Sequence, residues 1–231
     1  GVESRACVNA AVSAGARKVY LIEEPVAAAL GAGLDLSVPR GRFILDMGGG
    51  TTDIAVLSLN GIVCKKSIKL AGRKLDEAIV RCVRTDRNVL IGEKMAERIK
   101  IEVGSVFYTE DKEMEAKGRN LHTGLPEKFV IRTSDIYDAL MEQVMQIVTA
   151  VQQILEITPP ELSADIWEDG LIMTGGGALL HGLGDLISQH AKIKVRLAEH
   201  PVECVAIGTA LSFSKLDELY DGFVTPSTHT H

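Results

Sequence analysis

The sequence lacks the features that would place the protein in a membrane, in a secretory pathway or on nucleic acid. No stretch approaches the run of about 18 apolar residues that a membrane-spanning helix needs. The first residues, GVESRACVNAA, contain no apolar segment of a secretory signal, so we expect a cytoplasmic protein. The formal net charge of −6 argues against nucleic acid as a main partner and against charge-driven docking on an anionic membrane.

Cysteine and histidine motifs are also missing. The four cysteines, Cys7, Cys64, Cys82 and Cys204, have neither metal-ligand nor redox spacing, and we interpret them as buried structural thiols. The six histidines show no pairing with them, and no Ser/His/Asp arrangement follows from the spacing. With 231 residues, 46% of them hydrophobic and 24% charged, the chain has the composition of a soluble globular protein of one large or two small domains.

What the sequence does contain is two glycine triplets, each at the end of an apolar run. The first lies in RFILDMGGGTTDIAVLSL, residues 42–59, and the second in GLIMTGGGALLHGL, residues 170–183. In the first, residues 43–45 predict a buried strand, and the chain then reverses through Gly48, Gly49 and Gly50 into a second strand. Glycines can adopt positive φ and let their N–H groups approach an anion closely. The two triplets therefore predict the two halves of one nucleotide clamp.

Polar residues around the first triplet favour a phosphate and a metal ion. Thr51 and Thr52 add hydroxyl donors, while Asp46 and Asp53 flank the turn. Carboxylates beside a phosphate need a cation to offset the repulsion. Mg²⁺ is typically held by one or two carboxylates, several waters and substrate phosphates. Asp46 is therefore predicted to be a ligand on the magnesium side of the site.

The second triplet follows a predicted strand at residues 171–173. The strand breaks at Gly175, Gly176 and Gly177, and a helix is predicted to start near Leu179. The N-terminus of that helix would point at whatever lies on the glycines. This arrangement suits a nucleoside or its α-phosphate.

The remaining pattern predicts an alternation of helices and strands around these loops. A β-meander includes the first triplet, Ser134 is a candidate N-cap for a long helix, and Glu97 lies three residues before Lys100 on another helix, where a solvated salt bridge is one interpretation. In chain order we predict helix 3–15, strand 19–22, a helix opened by Pro25, a third meander strand 62–70, helices 75–84 and 93–103, a hairpin within 112–132, a long helix that ends before Thr158, a short helix begun by Pro160, a strand at 194–200 and a last helix begun by Pro201 with Val205, Ile207 and Ala210 along it. The apolar positions of the long helix are Ile136, Leu140, Val144, Ile147, Val151 and Leu155.

Taken together, this order of motifs resembles the actin-like ATPase superfamily. Six segments in order resemble the bacterial actin homologue MreB and its Mbl paralogues over nearly residues 1–215: YLIEEPVAAALGAGL, FILDMGGGTTDIAVLSL, LIGEKMAERIKIEVGS, PPELSADI, MTGGGALLHGL and VECVAIGTA. The resemblance implies an α/β fold of the actin-like ATPase type, with a ribonuclease H-like mixed sheet, flanking helices and a small inserted α+β subdomain. It implies a division into 1–39 (a remnant of the first large domain and a connecting helix), 40–88 with 145–200 (the second large, nucleotide-binding domain), 89–144 (the inserted subdomain), 201–220 (a connecting helix) and 221–231 (a disordered tail).

The resemblance also implies roles for individual residues, with ATP or ADP and Mg²⁺ as cofactors. The implied catalytic residues are Glu24, Asp46 and Thr51. Asp46 would organise magnesium and water, and Glu24 would orient the attacking water, although from the sequence alone Glu24 is a helix-start acid facing the macrodipole. The implied nucleotide contacts fall into three groups: Gly48, Gly49, Gly50, Thr51 and Thr52 for the β- and γ-phosphates; Glu97 and Lys100 for the nucleoside; Gly175, Gly176, Gly177 and Ala178 for adenosine.

For the complete protein, the resemblance implies ATP hydrolysis, head-to-tail filaments on the membrane, and partners in the cell-wall elongation machinery and a membrane-anchored adaptor. Two departures stand out. The first phosphate loop, an Asp-Leu-Gly-Thr segment, is missing, so we expect a fragment truncated at its N-terminus with weak or no ATPase activity, whose membrane contacts lie in the missing half. Arg73 stands where the family usually has an acid. The alternatives are a chaperone-type ATPase, a sugar or acetate kinase of the same superfamily, or an inactive structural piece.

Overall fold

The computed structural model describes residues 2–107, 110–216 and 223–224. The strands are β1 Leu21–Ile22, β2 Arg42–Met47, β3 Thr52–Ser58, β4 Gly61–Ile68, β5 Val89–Leu90, β6 Glu113–Asn120, β7 Pro126–Arg132, β8 Leu171–Thr174, β9 Val195–Leu197 and β10 Phe223–Val224. The α-helices are α1 Val2–Ser13, α2 Glu24–Gly31, α3 Gly72–Arg87, α4 Glu93–Val103, α5 Thr133–Ile157, α6 Pro160–Asp169, α7 Leu183–Ala191 and α8 Cys204–Ser212. Most of the predicted tail, 221–231, lies outside the described residues.

A five-stranded mixed sheet, in the order β4-β3-β2-β8-β9, carries both glycine triplets. Strands β2, β3 and β4 form an antiparallel meander, which confirms the predicted one, while β8 runs parallel to β2 and β9 parallel to β8. In this register Asp46 lies beside Asp53 on one neighbouring strand and beside Thr174 on the other. The sheet therefore brings the ends of β2 and β8, and the triplets that follow them, to one edge.

Side chains alternate between the two faces of the central strand β2, and both faces are buried. Phe43, Leu45 and Met47 join a large core with the apolar faces of α3 and α5, whereas Ile44 joins a second core with α2. Helix α5 turns most of its predicted apolar positions inward, but Leu155 is only partly buried and Ile154 takes its place. The helices on both sides of a mixed sheet account for the predicted α/β class.

Helices α2 and α8 approach each other more closely than side chains would allow. A Cβ atom on Gly208 would lie 1.7 Å from the carbonyl oxygen of Ala27, and one on Gly31 would lie 1.8 Å from that of Cys204. Glycine at both positions thus permits contact between the two backbones. The buried face of α8 consists of Cys204, Gly208 and Ser212.

A smaller antiparallel sheet, β5-β6-β7, contains the predicted hairpin and its exposed loop. Helix α4 packs beside it and has the predicted bounds, 93–103. The division of the chain into five parts stays a prediction.

Two predictions about helix ends are wrong. Ser134 is not the N-cap of α5, because the helix begins at Thr133 and the side chain of Asp135 accepts a hydrogen bond from the Arg132 N–H, 2.8 Å away. The N–H of Ser134 instead donates to Asp111 at 2.9 Å. Pro201 does not begin the last helix, which starts at Cys204 after a turn.

The face of α8 that packs against α2 is made of small residues, and Ile207 is 39% exposed. The predicted burial of all four cysteines is wrong. Cys7 is exposed, Cys64 and Cys82 are partly buried, and Cys204 is buried. Within the described residues, no helix is both long enough and apolar enough to cross a membrane.

Candidate functional site

A cleft of about 530 Å³ lies between the two glycine triplets at the edge of the main sheet. The first triplet forms one wall, and the start of α3, the middle and later part of α4 and the turn after β8 form the others. The lining residues are Gly48, Gly49, Gly72, Arg73, Asp76, Glu97, Lys100, Ile101, Gly176, Gly177, Leu179, Leu180 and His181. The cleft thus brings together Gly48, Gly49, Glu97, Lys100, Gly176 and Gly177 among the residues that the sequence singled out.

The first triplet is fixed to the start of α3. The carbonyl oxygens of Gly48 and Gly49 accept hydrogen bonds from the N–H groups of Gly72 and Arg73, at 3.2 and 2.9 Å. None of Gly48, Gly49 and Gly50 has a positive φ, so the left-handed geometry that the sequence suggested for this loop is wrong. A Cβ atom at these positions would meet no atom of the described residues closer than 3.6 Å. Neither backbone strain nor protein packing requires glycine here, and the bare loop leaves room for a ligand.

The second triplet has two packed glycines and one open one. Gly175 has φ +83°, and its Cβ would lie 2.3 Å from the carbonyl oxygen of Met47. A Cβ on Gly177 would lie 2.5 Å from Cγ of the same methionine. Among the residues that the structure describes, nothing lies within 4 Å of a Cβ on Gly176. The outer glycines therefore lock the turn onto the end of β2, and Gly176 faces open space.

The helix predicted to start near Leu179 starts later. A 3₁₀ turn, Gly176–Leu179, follows the strand, and α7 begins at Leu183 after Gly182, which has φ +80°. A Cβ on Gly182 would lie 2.2 Å from Cβ of Phe107, so glycine is the residue that fits at this position directly before α7. A short 3₁₀ turn, rather than the predicted helix N-terminus, therefore lies at the triplet.

Asp46 lies beneath the first triplet and is only 2% exposed. Its Oδ1 accepts a hydrogen bond from the hydroxyl of Thr174, 2.6 Å away. Burial raises the pKa of Asp46, the bond from Thr174 opposes that rise, and the charge of Asp53 adds to it. Asp46 therefore carries a carboxylate whose charge is poorly compensated in the protein alone.

Glu24 is exposed at the start of α2 and is electrostatically coupled to the same carboxylates. Partial burial raises the pKa of Glu24, and the charges of Asp46 and then Asp53 raise it further. In the part of the chain that the structure describes, no group of three or more Asp, Glu, His or Cys side chains has the geometry of a metal site. A cation here would need ligands from outside the protein, such as phosphate oxygens and water.

Lys100 pairs with a residue that the sequence did not single out. Its Nζ lies 2.8 Å from Oδ1 of Asp76, both side chains are largely buried, and the same Nζ donates to the carbonyl oxygen of Gly72 at 3.1 Å. Burial raises the pKa of Asp76, and the bond from Lys100 opposes that rise. One interpretation of the sequence favoured a salt bridge between Glu97 and Lys100. The described salt bridges do not include this pair, and Glu97 is exposed on the cleft wall. The sequence could have pointed to Asp76 as a residue of the site because it lies one turn into α3, the helix that follows the meander.

The other predicted nucleotide contacts lie off the cleft wall. The hydroxyl of Thr52 is buried and donates to the carbonyl oxygen of Leu70 at 2.6 Å, so it is not free to bind a ligand as predicted. The carbonyl oxygen of Thr51 accepts the Gly48 N–H at 3.0 Å, and this bond closes the hairpin turn. The N–H of Gly175 donates to Pro201 at 2.7 Å, and Ala178 is 3% exposed. These residues support the loops from behind.

The fold defined by this sheet and its two loops is actin-like. The structure of MreB5 of Spiroplasma citri bound to AMPPNP superposes with a TM-score of 0.89 at 36% sequence identity, covering 94% of this chain and 65% of that one. The same protein bound to ADP gives a TM-score of 0.89 over 93% of this chain and 66% of that one. The MamK double helical filament, with a TM-score of 0.68 over 84% of this chain and 58% of that one at 21% identity, shares the fold. The predicted fold class is confirmed.

Sequence comparison narrows the class to one family. The family "MreB/Mbl protein" matches residues 1–221. The cell shape-determining protein Mbl of Bacillus subtilis strain 168 is 47% identical over 219 residues, covering 94% of this chain and 66% of the relative. The cell shape-determining protein MreB of Escherichia coli K12 is 48% identical over 217 residues, covering 94% and 62%. The chain belongs to the MreB/Mbl family, as predicted, and spans a little under two thirds of the length of these relatives.

Proposed function

We propose that the cleft binds an adenine nucleotide, with the phosphates on the first glycine triplet and the nucleoside between the second triplet and α4. The observation that carries this proposal is that the open glycines, Gly49 and Gly176, face one cleft from opposite walls, while their neighbours Gly175 and Gly177 are packed against protein. Bare glycines on a cleft wall leave the backbone N–H groups within reach of a ligand. Glu97 and Lys100 lie where they would contact the ribose or the base.

The relatives support this assignment. MreB5 of Spiroplasma citri is described as bound to AMPPNP and to ADP, and its fold matches 93–94% of this chain. We infer that the same ligand class occupies the corresponding cleft here. Thr51, Thr52 and Ala178 then support the site from behind, since their hydrogen bonds hold the two loops in place.

Magnesium fits the acidic end of the site. Burial raises the pKa values of Asp46 and Glu24; the charge of Asp53 raises both further, and that of Asp46 also raises the pKa of Glu24. A cation would relieve this repulsion. Bound magnesium would neutralise charge on the phosphates. Asp46 would hold one of its waters, and Glu24 would orient and accept a proton from the water that attacks the terminal phosphate.

For the complete protein we propose ATP hydrolysis, head-to-tail polymerisation in the cytoplasm along the membrane, and guidance of cell-wall synthesis that sets rod shape. The relatives are named as cell shape-determining proteins, and a MamK structure is a double helical filament. Open filaments require a heterologous contact that does not close into a ring. The cell-wall elongation machinery and a membrane-anchored adaptor are the partners that this role needs.

Calorimetry and sedimentation test the two levels of this proposal. For the 231-residue chain we expect ATP with magnesium to bind with a Kd on the order of 0.1 mM, since the chain contains two of the three loops that the resemblance implies. For the complete protein we expect pelleting that depends on ATP and magnesium. No nucleotide-dependent pelleting, together with phosphorylation of a metabolite, would contradict the filament assignment and favour a kinase.

A further inference from the structure

Arg73 lies against the first glycine triplet, at the point where α3 begins. Its backbone N–H donates to the carbonyl oxygen of Gly49 at 2.9 Å. Its side chain folds over the same loop, because a Cβ on Gly49 would lie 3.6 Å from Nε and 3.9 Å from Nη2, and one on Gly50 would lie 4.0 Å from Nη2. The guanidinium therefore stands beside the loop on the wall of the cleft.

The charge of Arg73 is uncompensated in the described structure. Two long cationic side chains line the described cleft, Arg73 and Lys100, and Lys100 is paired with Asp76 at 2.8 Å. No described salt bridge or side-chain hydrogen bond involves Arg73, and the residue is exposed. The remaining acid of the cleft lining, Glu97, projects from α4 on another wall. Arg73 is thus a cation available to a ligand.

We propose that Arg73 binds the terminal phosphates of a nucleotide held by the first glycine triplet, an inference that rests on the proposed nucleotide site. A guanidinium presents several N–H donors in a planar fork that matches two phosphate oxygens. The backbone bond to Gly49 ties this fork to the loop, so the charge and the loop N–H groups act on the same phosphates. Arg73 then makes the affinity of the cleft depend on the number of phosphates.

The experiment measures Kd for ATP, ADP, AMP and adenosine with the 231-residue chain, by calorimetry or by NMR titration where binding is weak. The variants are Arg73→Ala and Arg73→Lys. The matched control is Arg84→Ala, which removes the same charge from an exposed residue roughly three turns further along α3. Thermal unfolding of each variant checks that the fold is unchanged.

The proposal predicts that Arg73→Ala weakens ATP and ADP binding about tenfold and AMP and adenosine binding less than about twofold. Arg73→Lys should lie between wild type and Arg73→Ala, because it keeps the charge and loses the fork. Arg84→Ala should match wild type. Raising the salt concentration should shrink the effect of Arg73→Ala, since the contact is partly exposed.

The other outcomes overturn the inference in distinguishable ways. If the wild-type chain binds ATP and Arg73→Ala binds it equally well, the nucleotide site stands and the role of Arg73 is refuted. An equal loss for ATP and adenosine shows a structural effect on the loop and also refutes it. If the wild-type chain binds none of the four ligands, the proposed nucleotide site itself fails, and the role of Arg73 fails with it.

Discussion

Alanine substitutions along the second glycine triplet distinguish the glycines that pack the loop from the glycine that is proposed to contact the nucleotide. Gly175 combines φ +83° with ψ 158°, a region of the backbone map that is essentially restricted to glycine and costs other residues about 1–3 kcal/mol. Its Cβ would also press on the backbone of Met47 at 2.3 Å, and overpacking typically adds about 1–3 kcal/mol. We therefore expect Gly175→Ala to lower the free energy of unfolding by about 2–6 kcal/mol.

The two neighbouring positions should respond differently. A Cβ on Gly177 would meet the side chain of Met47 at 2.5 Å, and because that side chain is flexible we expect a loss of about 1–3 kcal/mol. A Cβ on Gly176 meets no described atom within 4 Å, so Gly176→Ala should change the free energy of unfolding by less than about 0.5 kcal/mol. Its methyl group would nonetheless enter the cleft, and we expect ATP to bind about tenfold more weakly.

Urea unfolding gives the free energies, and calorimetry on the folded variants gives the ATP affinities. The order of stability should be wild type and Gly176→Ala together, then Gly177→Ala, then Gly175→Ala. If Gly176→Ala destabilises the chain as much as Gly175→Ala does, the loop is packed differently from this structure. A stable Gly176→Ala variant with unchanged ATP affinity would refute the placement of the nucleoside on this turn.

Three further predictions concern charge, helix packing and thiols. Because the pKa of Asp46 is raised, the folded chain binds more protons than the unfolded chain, so the free energy of unfolding falls as pH rises through that pKa. Asp46→Asn should flatten this part of the pH profile measured by urea unfolding, and it should weaken magnesium-dependent nucleotide binding. An unchanged profile would contradict the burial argument. The Cβ of Gly208→Ala would lie 1.7 Å from a carbonyl oxygen of α2, so this variant should lose about 3 kcal/mol or more of the free energy of unfolding. The Cβ of Gly184→Ala would lie 3.2 Å from a flexible methionine methyl, so this variant should be neutral or more stable by up to about 1 kcal/mol. Equal thermal shifts for the two variants would be inconsistent with close backbone packing of α2 and α8. Burial, aided by a neighbouring carboxylate, raises the pKa of the Cys82 thiol to about 12. Alkylation at pH 8 should therefore modify the exposed Cys7 before Cys82, as mass spectrometry would detect. The reverse order would contradict this environment of Cys82.

The sequence was sufficient for the parts of the fold that have a strong period or strong turn chemistry. The meander follows from three apolar runs separated by glycine, and α4 follows from apolar positions at helical spacing. The pairing of the two triplets across one cleft also followed from the strands before them, since the ends of β2 and β8 meet at one edge.

Details set by close tertiary contact did not follow from the sequence. The face of α8 that packs on α2 did not follow from the sequence, because Cys204, Gly208 and Ser212 are small residues that form no apolar pattern. The residue before α7, Gly182, lies against Phe107, which is distant in sequence, and this contact could not be read from the local pattern. The pairing of Lys100 with Asp76 depends on how α3 and α4 pack, and local spacing favoured a different partner.

The claim that one nucleotide touches both triplets is tested most directly by NMR. The chain would be labelled with ¹⁵N-glycine and titrated with ATP and magnesium, and the amide signals of Gly49, Gly176 and Gly124 followed together. Gly124 lies in the loop between β6 and β7, outside the cleft lining, and serves as the internal control. We predict that the Gly49 and Gly176 signals shift with one shared binding curve while that of Gly124 stays in place. Shifts at only one triplet, or equal shifts at all three glycines, would contradict a nucleotide held between the two loops.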